Sequence, residues 1–283
     1  MGIYLRVAGR TDVGRLRERN EDAFIAADLT RQEYSVMPQW TGRFEIGELG
    51  AVVAVSDGMG GAPAGEVASS LVISSLTQAL ASRSTGATSS AKITDAVQDA
   101  HLRVRTEGTS RGIQMGATLT AVYVHGAAAY VAEVGDSRAY LLRAGRITQL
   151  TKDQSYVQML VDSGAVDPDK AQAFPFRNVI LQAMGHQPNI AIALGRLDLR
   201  HRDCLLLCSD GLSNELSDSE IREVVFASPD LMEATDGLID RANEHGGRDN
   251  ATVVLAGVGG DLPPSSTREP VEKTYRVLET FDA

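Results

Sequence analysis

Hydrophobic positions in this chain follow two rhythms. Short apolar runs of strand length end at Gly, Asp or Asn, and longer stretches repeat every three to four residues. Tyr4 to Thr11 and Ala23 to Asp28 read as the first two strands. Leu29 to Gly50 is polar and mixed, so it reads as an excursion between strands, with the only tryptophan, Trp40, as a loop anchor. Ala51 to Ser56 is continuously apolar and ends in Asp57-Gly58, the pattern of a buried strand that delivers an aspartate at its C-terminal end. Val67, Leu71, Leu76 and Leu80 then recur at helical spacing, as do Ile93, Val97 and Val104, with a Ser/Thr/Gly-rich link from Ser82 to Ser90 between them.

Three strand-like runs follow, Thr118 to Val124, Ala127 to Val134 and Arg138 to Leu142. The short turns at His125-Gly126 and Gly135-Asp136 predict an antiparallel meander. A second excursion, Thr151 to Gln187, holds a helical stretch at Tyr156 to Ser163 and a helix start at Asp167-Pro168. Ile190 to Leu194, Asp203 to Ser209 and Ala251 to Val258 read as further strands. Ser217 with Glu220 is a capping-box pattern ahead of Ile221, Val224 and Val225, and Leu231 to Asn243 is another helix. Runs of strands and runs of helices indicate an α+β fold with largely antiparallel sheets. One domain is expected over 1–258. After Gly259 the Pro-Pro-Ser-Ser step at 263–266 and alternating charges predict a mobile tail over 259–283.

Composition narrows the possible functions. The chain has 283 residues, 43% hydrophobic and 23% charged, a globular balance. Lys and Arg number 27 against 37 Asp and Glu, a net charge of −10, which argues against a nucleic-acid partner. No apolar run approaches the ~20 residues of a membrane span, and Met1 to Arg10 lacks the apolar core of a signal peptide. A cytoplasmic monomer without a membrane partner is the expectation. Cys204 and Cys208 share one strand, where ~13 Å of rise puts them too far apart for a disulfide, so they read as buried thiols.

The chemistry lies in acidic residues that recur at strand ends beside glycine or a turn: Asn20-Glu21-Asp22, Asp57-Gly58, Gly135-Asp136, Ser209-Asp210-Gly211 and Arg248-Asp249-Asn250. One Asp-Gly is a turn signal. Five such sites in one chain suggest carboxylates that converge and need cations to neutralise them. Oxygen donors favour Mg²⁺ or Mn²⁺, and no His/Cys spacing suits zinc. Glycines beside Asp57 let the backbone approach closely, so the Gly58 carbonyl is a candidate ligand.

In family order, the segments GRLRERNED (14–22), SDGMGG (56–61), GATLT (116–120), GDSRAY (135–140), TKDQSYVQMLV (151–161), RNVILQA (177–183), SDGL (209–212) and GGRDNAT (246–252) resemble the PP2C (PPM) metal-dependent Ser/Thr protein phosphatases, in their bacterial wording. The resemblance spans nearly all of residues 5–257. It implies a four-layer α-β-β-α sandwich, two antiparallel sheets flanked by helices, with two Mn²⁺ or Mg²⁺ ions at one end and a weaker third. It further implies that Asp57 bridges both ions, that Asp210 and Asp249 complete the first, that the Gly58 carbonyl completes the second, and that Glu21 holds the second ion's waters. Asp22 would hydrogen-bond the attacking water, Arg17 would grip the substrate phosphate, Asn250 would orient Asp249, and Asp136 with Asp210 would form the third site. The implied substrate is a phosphorylated protein, a Ser/Thr kinase or its targets. The alternatives are a phosphatase of small esters and an idle domain that binds a phosphorylated partner.

Several residues have plainer readings. Outside the family register Arg17 would be a solvated charge among Arg10, Arg15 and Arg19, and Asp136 a turn residue. Asp153 reads as the N-cap of the helix beyond it, and Arg138 as the partner of a buried carboxylate. Two positions depart from the family pattern: Met59 stands where many eukaryotic members carry histidine, and Asn214 where some members carry a further third-metal aspartate. The 151–187 excursion matches the family's flap.

Overall fold

The period-two runs form two antiparallel sheets, and the helical stretches cover their outer faces. A computed structural model describes residues 2–281 apart from 36, 62 and 83–85. In chain order the elements begin with β1 (Tyr4–Asp12), β2 (Asp22–Asp28), β3 (Glu33–Tyr34), β4 (Gln39–Glu45), β5 (Ala51–Met59), α1 (Ala64–Ala81) and α2 (Ser89–Arg111). The middle of the chain supplies β6 (Gly116–Ala117), β7 (Leu119–His125), β8 (Ala128–Val134), β9 (Arg138–Arg143), β10 (Arg146–Gln149) and α3 (Tyr156–Asp162). The rest forms β11 (Ala193–Asp198), β12 (Cys204–Cys208), α4 (Asp210–Ser213), α5 (Asp218–Ala227), α6 (Leu231–Glu244), β13 (Ala251–Gly259) and β14 (Tyr275–Glu279).

The first sheet runs β10-β9-β12-β13-β1-β4 and the second β14-β11-β8-β7-β5-β2-β3, with β6 beside β5. Their inner faces meet in a core that includes Leu5, Phe44, Val53, Val131, Leu141, Leu207 and Val254. α1 and α2 lay Val72, Leu76 and Val97 over the second sheet. Ile221 of α5 and Leu238 of α6 cover the first, against Leu206 and Leu255. Each such side chain contributes about 1.5–3 kcal/mol by leaving water. The layers are therefore α-β-β-α, as the resemblance implied. The capping box forms as read, with Ser217 and Glu220 at the start of α5. No helix among the described residues is long and apolar enough to cross a membrane.

Four expectations need correction. The 29–50 excursion holds β3 and β4, and β4 pairs with β1 from Tyr4↔Glu45 to Arg10↔Gln39. Trp40, Gly42 and Phe44 turn inward while Gln39, Thr41 and Arg43 face solvent. Trp40 stacks on Phe44 at 5.3 Å across the space that Gly42 leaves open. Trp40 is thus on an edge strand, not in a loop.

The meander is only half present. β7 and β8 form a hairpin, but β9 leaves for the first sheet and pairs with β12 and β10. The crossing turn begins at Gly135, whose φ of 110° suits glycine. Asp153 does not cap α3, because Ser155 does so through Gln158 N–H. Asp153 instead receives two bonds from Arg138, at 2.8 and 2.7 Å, and is the carboxylate expected for that arginine.

The segment beyond Gly259 is docked through Glu279. β14 pairs with β11, and the Tyr275 ring lies where a Gly195 side chain would stand. Arg200 meets Glu269 at 2.9 Å, and the buried Arg143 donates to Thr274 at 2.7 Å. Cys204 and Cys208 are free thiols, each pushed up to about 12, chiefly by burial.

Candidate metal and phosphate site

All five acidic strand ends arrive at one end of the sandwich. Asp57 lies near the end of β5, directly opposite Asp22 on β2 in the pairing register. The Asp57 N–H donates to Thr118 Oγ1, and that hydroxyl pairs at 2.7 Å with Ser137, next to Asp136. Asp210 opens α4 immediately after β12, and Asp249 precedes β13. Asp57, Thr118, Asp136, Asp210 and Asp249 line a cavity of about 490 Å³ with Arg17, Glu21 and Gly58. Asn178 and Ile180 of the flap close one side of it.

Backbone packing places the loop residues. A Cβ on Gly58 would overlap the Gly65 carbonyl, so glycine lets α1 approach the end of β5. Gly58 N–H donates to the Glu21 carbonyl at 3.1 Å, and Ser69 donates to the same oxygen at 2.6 Å. Asn250 is nearly buried and fully engaged. It accepts from Glu21 N–H at 2.8 Å and donates to the Val13 and Arg19 carbonyls at 2.9 and 2.8 Å. Its side chain therefore pins the loop that carries Arg17, and only its backbone N–H meets Asp249, at 2.8 Å.

The electrostatics show an uncompensated cluster. Burial, then Asp22, Asp210, Asp136 and Asp249, hold the Asp57 carboxyl well above the usual carboxylate range. Burial pushes Asp22 up to about 7, against hydroxyl bonds from Thr252 and Ser209 at 2.6 and 2.7 Å. Burial and Asp249 raise Asp210 to about 6. Asp136 is raised by burial and by Asp210, and Glu21 by burial. Arg17 bridges to the cluster, donating to Asp249 at 2.6 Å, and that bond raises its own pKa.

The donor set suits hard divalent cations. Every side-chain donor is an oxygen, and Asp22 Oδ1 and Asp210 Oδ1 are buried without a partner. Among the described residues, no three acidic, His or Cys side chains are gathered tightly enough as placed to hold an ion. Arg17 engages Asp249 and Asn214 engages Asp210, at 3.0 Å.

The placement of the expected residues is mixed. Arg17, Glu21, Asp57, Gly58, Asp136, Asp210 and Asp249 share the cavity wall. Asp22 is set back from it and 4% exposed. Ser209, Thr252, Asn178 and Ile180 were not singled out by sequence.

The sequence profile of the family described as Protein phosphatase 2C matches residues 40–251. This chain belongs to the protein phosphatase 2C family. It is 38% identical over 261 residues to the Serine/threonine protein phosphatase PstP of Mycobacterium tuberculosis, covering 90% of this chain and 45% of that protein. The chain thus spans about half the length of that relative. It is 33% identical to the Serine/threonine phosphatase stp of Listeria welshimeri, over 87% of this chain and 93% of the relative. The crystal structure of the PstP catalytic domain in complex with two manganese ions matches with a TM-score of 0.76 and 35% identity, over 91% of this chain and all of that one. Against the family's features noted above, Met59 ends β5 at the cavity rim, and Asn214 occupies Asp210 Oδ2.

Proposed function

We propose that this protein hydrolyses phosphoserine and phosphothreonine esters in proteins, using two Mn²⁺ or Mg²⁺ ions, and so opposes a Ser/Thr kinase as a cytoplasmic monomer. The observation that carries the proposal is the cavity in which Glu21, Asp57, Asp136, Asp210 and Asp249 gather, with Arg17 bonded to one of them. Asp57 would bridge the two ions, Asp210 and Asp249 would complete the first, and the Gly58 carbonyl and Glu21 would serve the second. Bound there, the ions would activate a water at neutral pH and neutralise the phosphate ester's charge.

The chain's own groups do the rest. Arg17 offers a planar fork to two phosphate oxygens once it turns from Asp249. Asp22 has one oxygen engaged by Ser209 and Thr252 and one unpartnered. That free oxygen would take a hydrogen bond from the attacking water. Asn250 keeps the Arg17 loop against β13. Asp136 faces Asp210 at a weaker third position, where Asn214 in place of a carboxylate lowers the charge available. No covalent nucleophile is required, and the raised Cys204 and Cys208 thiols lie on β12, outside the cavity.

Hydrolysis of a phosphothreonine peptide and of a small aryl phosphate, each in Mn²⁺ and in excess EDTA, tests this reading. Turnover of the peptide that EDTA abolishes and Mn²⁺ restores is expected. Preference for the small ester would overturn the protein substrate, and turnover that survives EDTA would overturn the metal.

A further inference from the structure

A second cavity, of about 530 Å³, shares no lining residue with the first. Its floor is one face of the second sheet, where Val131 and Glu133 alternate on β8 with Gly195 and Ala193 opposite them on β11. Tyr275, Val277 and Glu279 of β14 continue that face at the sheet edge. Leu150, Met159 and Leu181 cover it from the flap side. β14 lies beyond the residues matched by the family profile.

Glu133 decides the chemistry of this chamber. It is 2% exposed, its Oε2 accepts the Lys152 backbone N–H at 3.0 Å, and its Oε1 has no partner. Other acids line the cavity as well: Asp153, Asp162 and Glu279. Lys152 is the basic side chain among the described lining residues, and Asp162 holds its ammonium at 2.7 Å. Asp153 is spent on Arg138. The chamber is thus apolar in body, acidic in charge, and short of one hydrogen-bond donor at its floor. Its volume falls within the roughly 300–1,000 Å³ of small-molecule sites.

We propose that this cavity binds a small organic cation, a primary ammonium group carried on an apolar body, with the ammonium on Glu133 Oε1. The ammonium supplies the missing donor, and its charge favours the ionised form of a carboxyl that burial otherwise holds well above the usual carboxylate range. The apolar body lies against Val131, Leu150 and Met159. Gln154, between the lining residues Asp153 and Ser155, is bonded to the turn that precedes Asp136. Gln154 N–H donates to the Gly135 carbonyl at 2.8 Å, and Gly135 N–H donates back to Gln154 Oε1 at 2.7 Å, one residue before Asp136.

Phenethylammonium chloride titrated into the ¹⁵N-labelled full chain is the test, with 2-phenylethanol as its neutral match. Saturable amide shifts confined to the neighbourhoods of Glu133, Lys152, Leu194 and Val277 are expected, with the alcohol at least tenfold weaker. Glu133→Gln keeps the shape and loses at least tenfold in affinity for the ammonium. Val277→Trp, at an exposed strand position on the cavity, blocks entry and serves as the second variant if Glu133→Gln does not fold. Equal binding of amine and alcohol would overturn the proposal. So would unchanged affinity in a folded Glu133→Gln or in Val277→Trp, or shifts centred on Asp57 and Asp249.

Discussion

Asp22 and Asp57 stand on one rung of antiparallel pairing, and neither has a cation beside it to offset the other. The consequence is a stability slope. A carboxyl raised from 3.8 to about 7 in the folded chain contributes stability that is complete below about pH 4 and is lost as pH rises through 7. Asp210, raised to about 6, acts in the same sense. Asp12, lowered by Gly14 N–H, Asn243 and Arg10 against burial, acts in the opposite sense, and its loss comes at acid pH, below this window. In EDTA the thermal midpoint should therefore fall between pH 4 and 8, and Asp22→Asn should flatten that fall, by about 2–4 °C for each kcal/mol recovered. Melting curves across that range check it, and an equal slope in the variant would count against the cluster. Arg17→Ala should lower kcat/KM about 10–100-fold, mostly through KM, because phosphate binding precedes attack and persists through it. Steady-state kinetics on a phosphopeptide would show a lower kcat at unchanged KM if that role is wrong. At this scale the acidic strand ends were legible, since an aspartate beside glycine after an apolar run is a local pattern. Ser209 and Thr252 were not. They look like ordinary strand hydroxyls, and their shared partner Asp22 lies 187 and 230 residues away in the chain.

Elements were legible where one periodicity ran unbroken. β5, α1 and β13 emerge within a few residues of where the sequence puts them because each buries a continuous face, and α2 runs on to Arg111, beyond its last apolar marker Val104. β4 did not emerge, because Gln39, Thr41 and Arg43 fill its outward positions and glycine takes an inward one. β9 was found but misplaced, since a short turn specifies neither a hairpin nor a change of sheet. Arg143, at the end of β9, shows what that crossing secures. It meets Asp203 through two bonds of 2.7 Å, and the two side chains are 3% and 0% exposed. Arg143→Met would leave Asp203 buried with only the Arg200 backbone N–H on its carboxylate. A loss of about 3–5 kcal/mol is expected, and Asp203→Leu added to it should restore most of that, as for other buried pairs. Urea unfolding of the single and double variants decides it, and a single variant as stable as wild type would show the pair to be dispensable.

At the scale of the whole molecule, two sheets carry the site between them. Asp22, Asp57 and Asp136 come from the second sheet and its exits, and Asp210 and Asp249 from the first. The sandwich must close before the carboxylates meet, which is why no single segment discloses the site and why the family resemblance, spread over eight segments, does. The chain beyond Gly259 reads as a tail by composition, yet β14 finishes the second sheet, because the open edge of β11 supplies backbone partners that no local pattern announces. The central claim is that the assembled carboxylates hold two divalent ions through Asp57. Calorimetric titration of Mn²⁺ into wild type and Asp57→Asn tests it most directly, with circular dichroism to confirm that both are folded. Wild type should take up two equivalents. Asp57→Asn should bind them more than about 100-fold more weakly, beyond what an outer-shell partner contributes, and should lose turnover. Two equivalents bound with undiminished affinity by a folded Asp57→Asn would contradict the account.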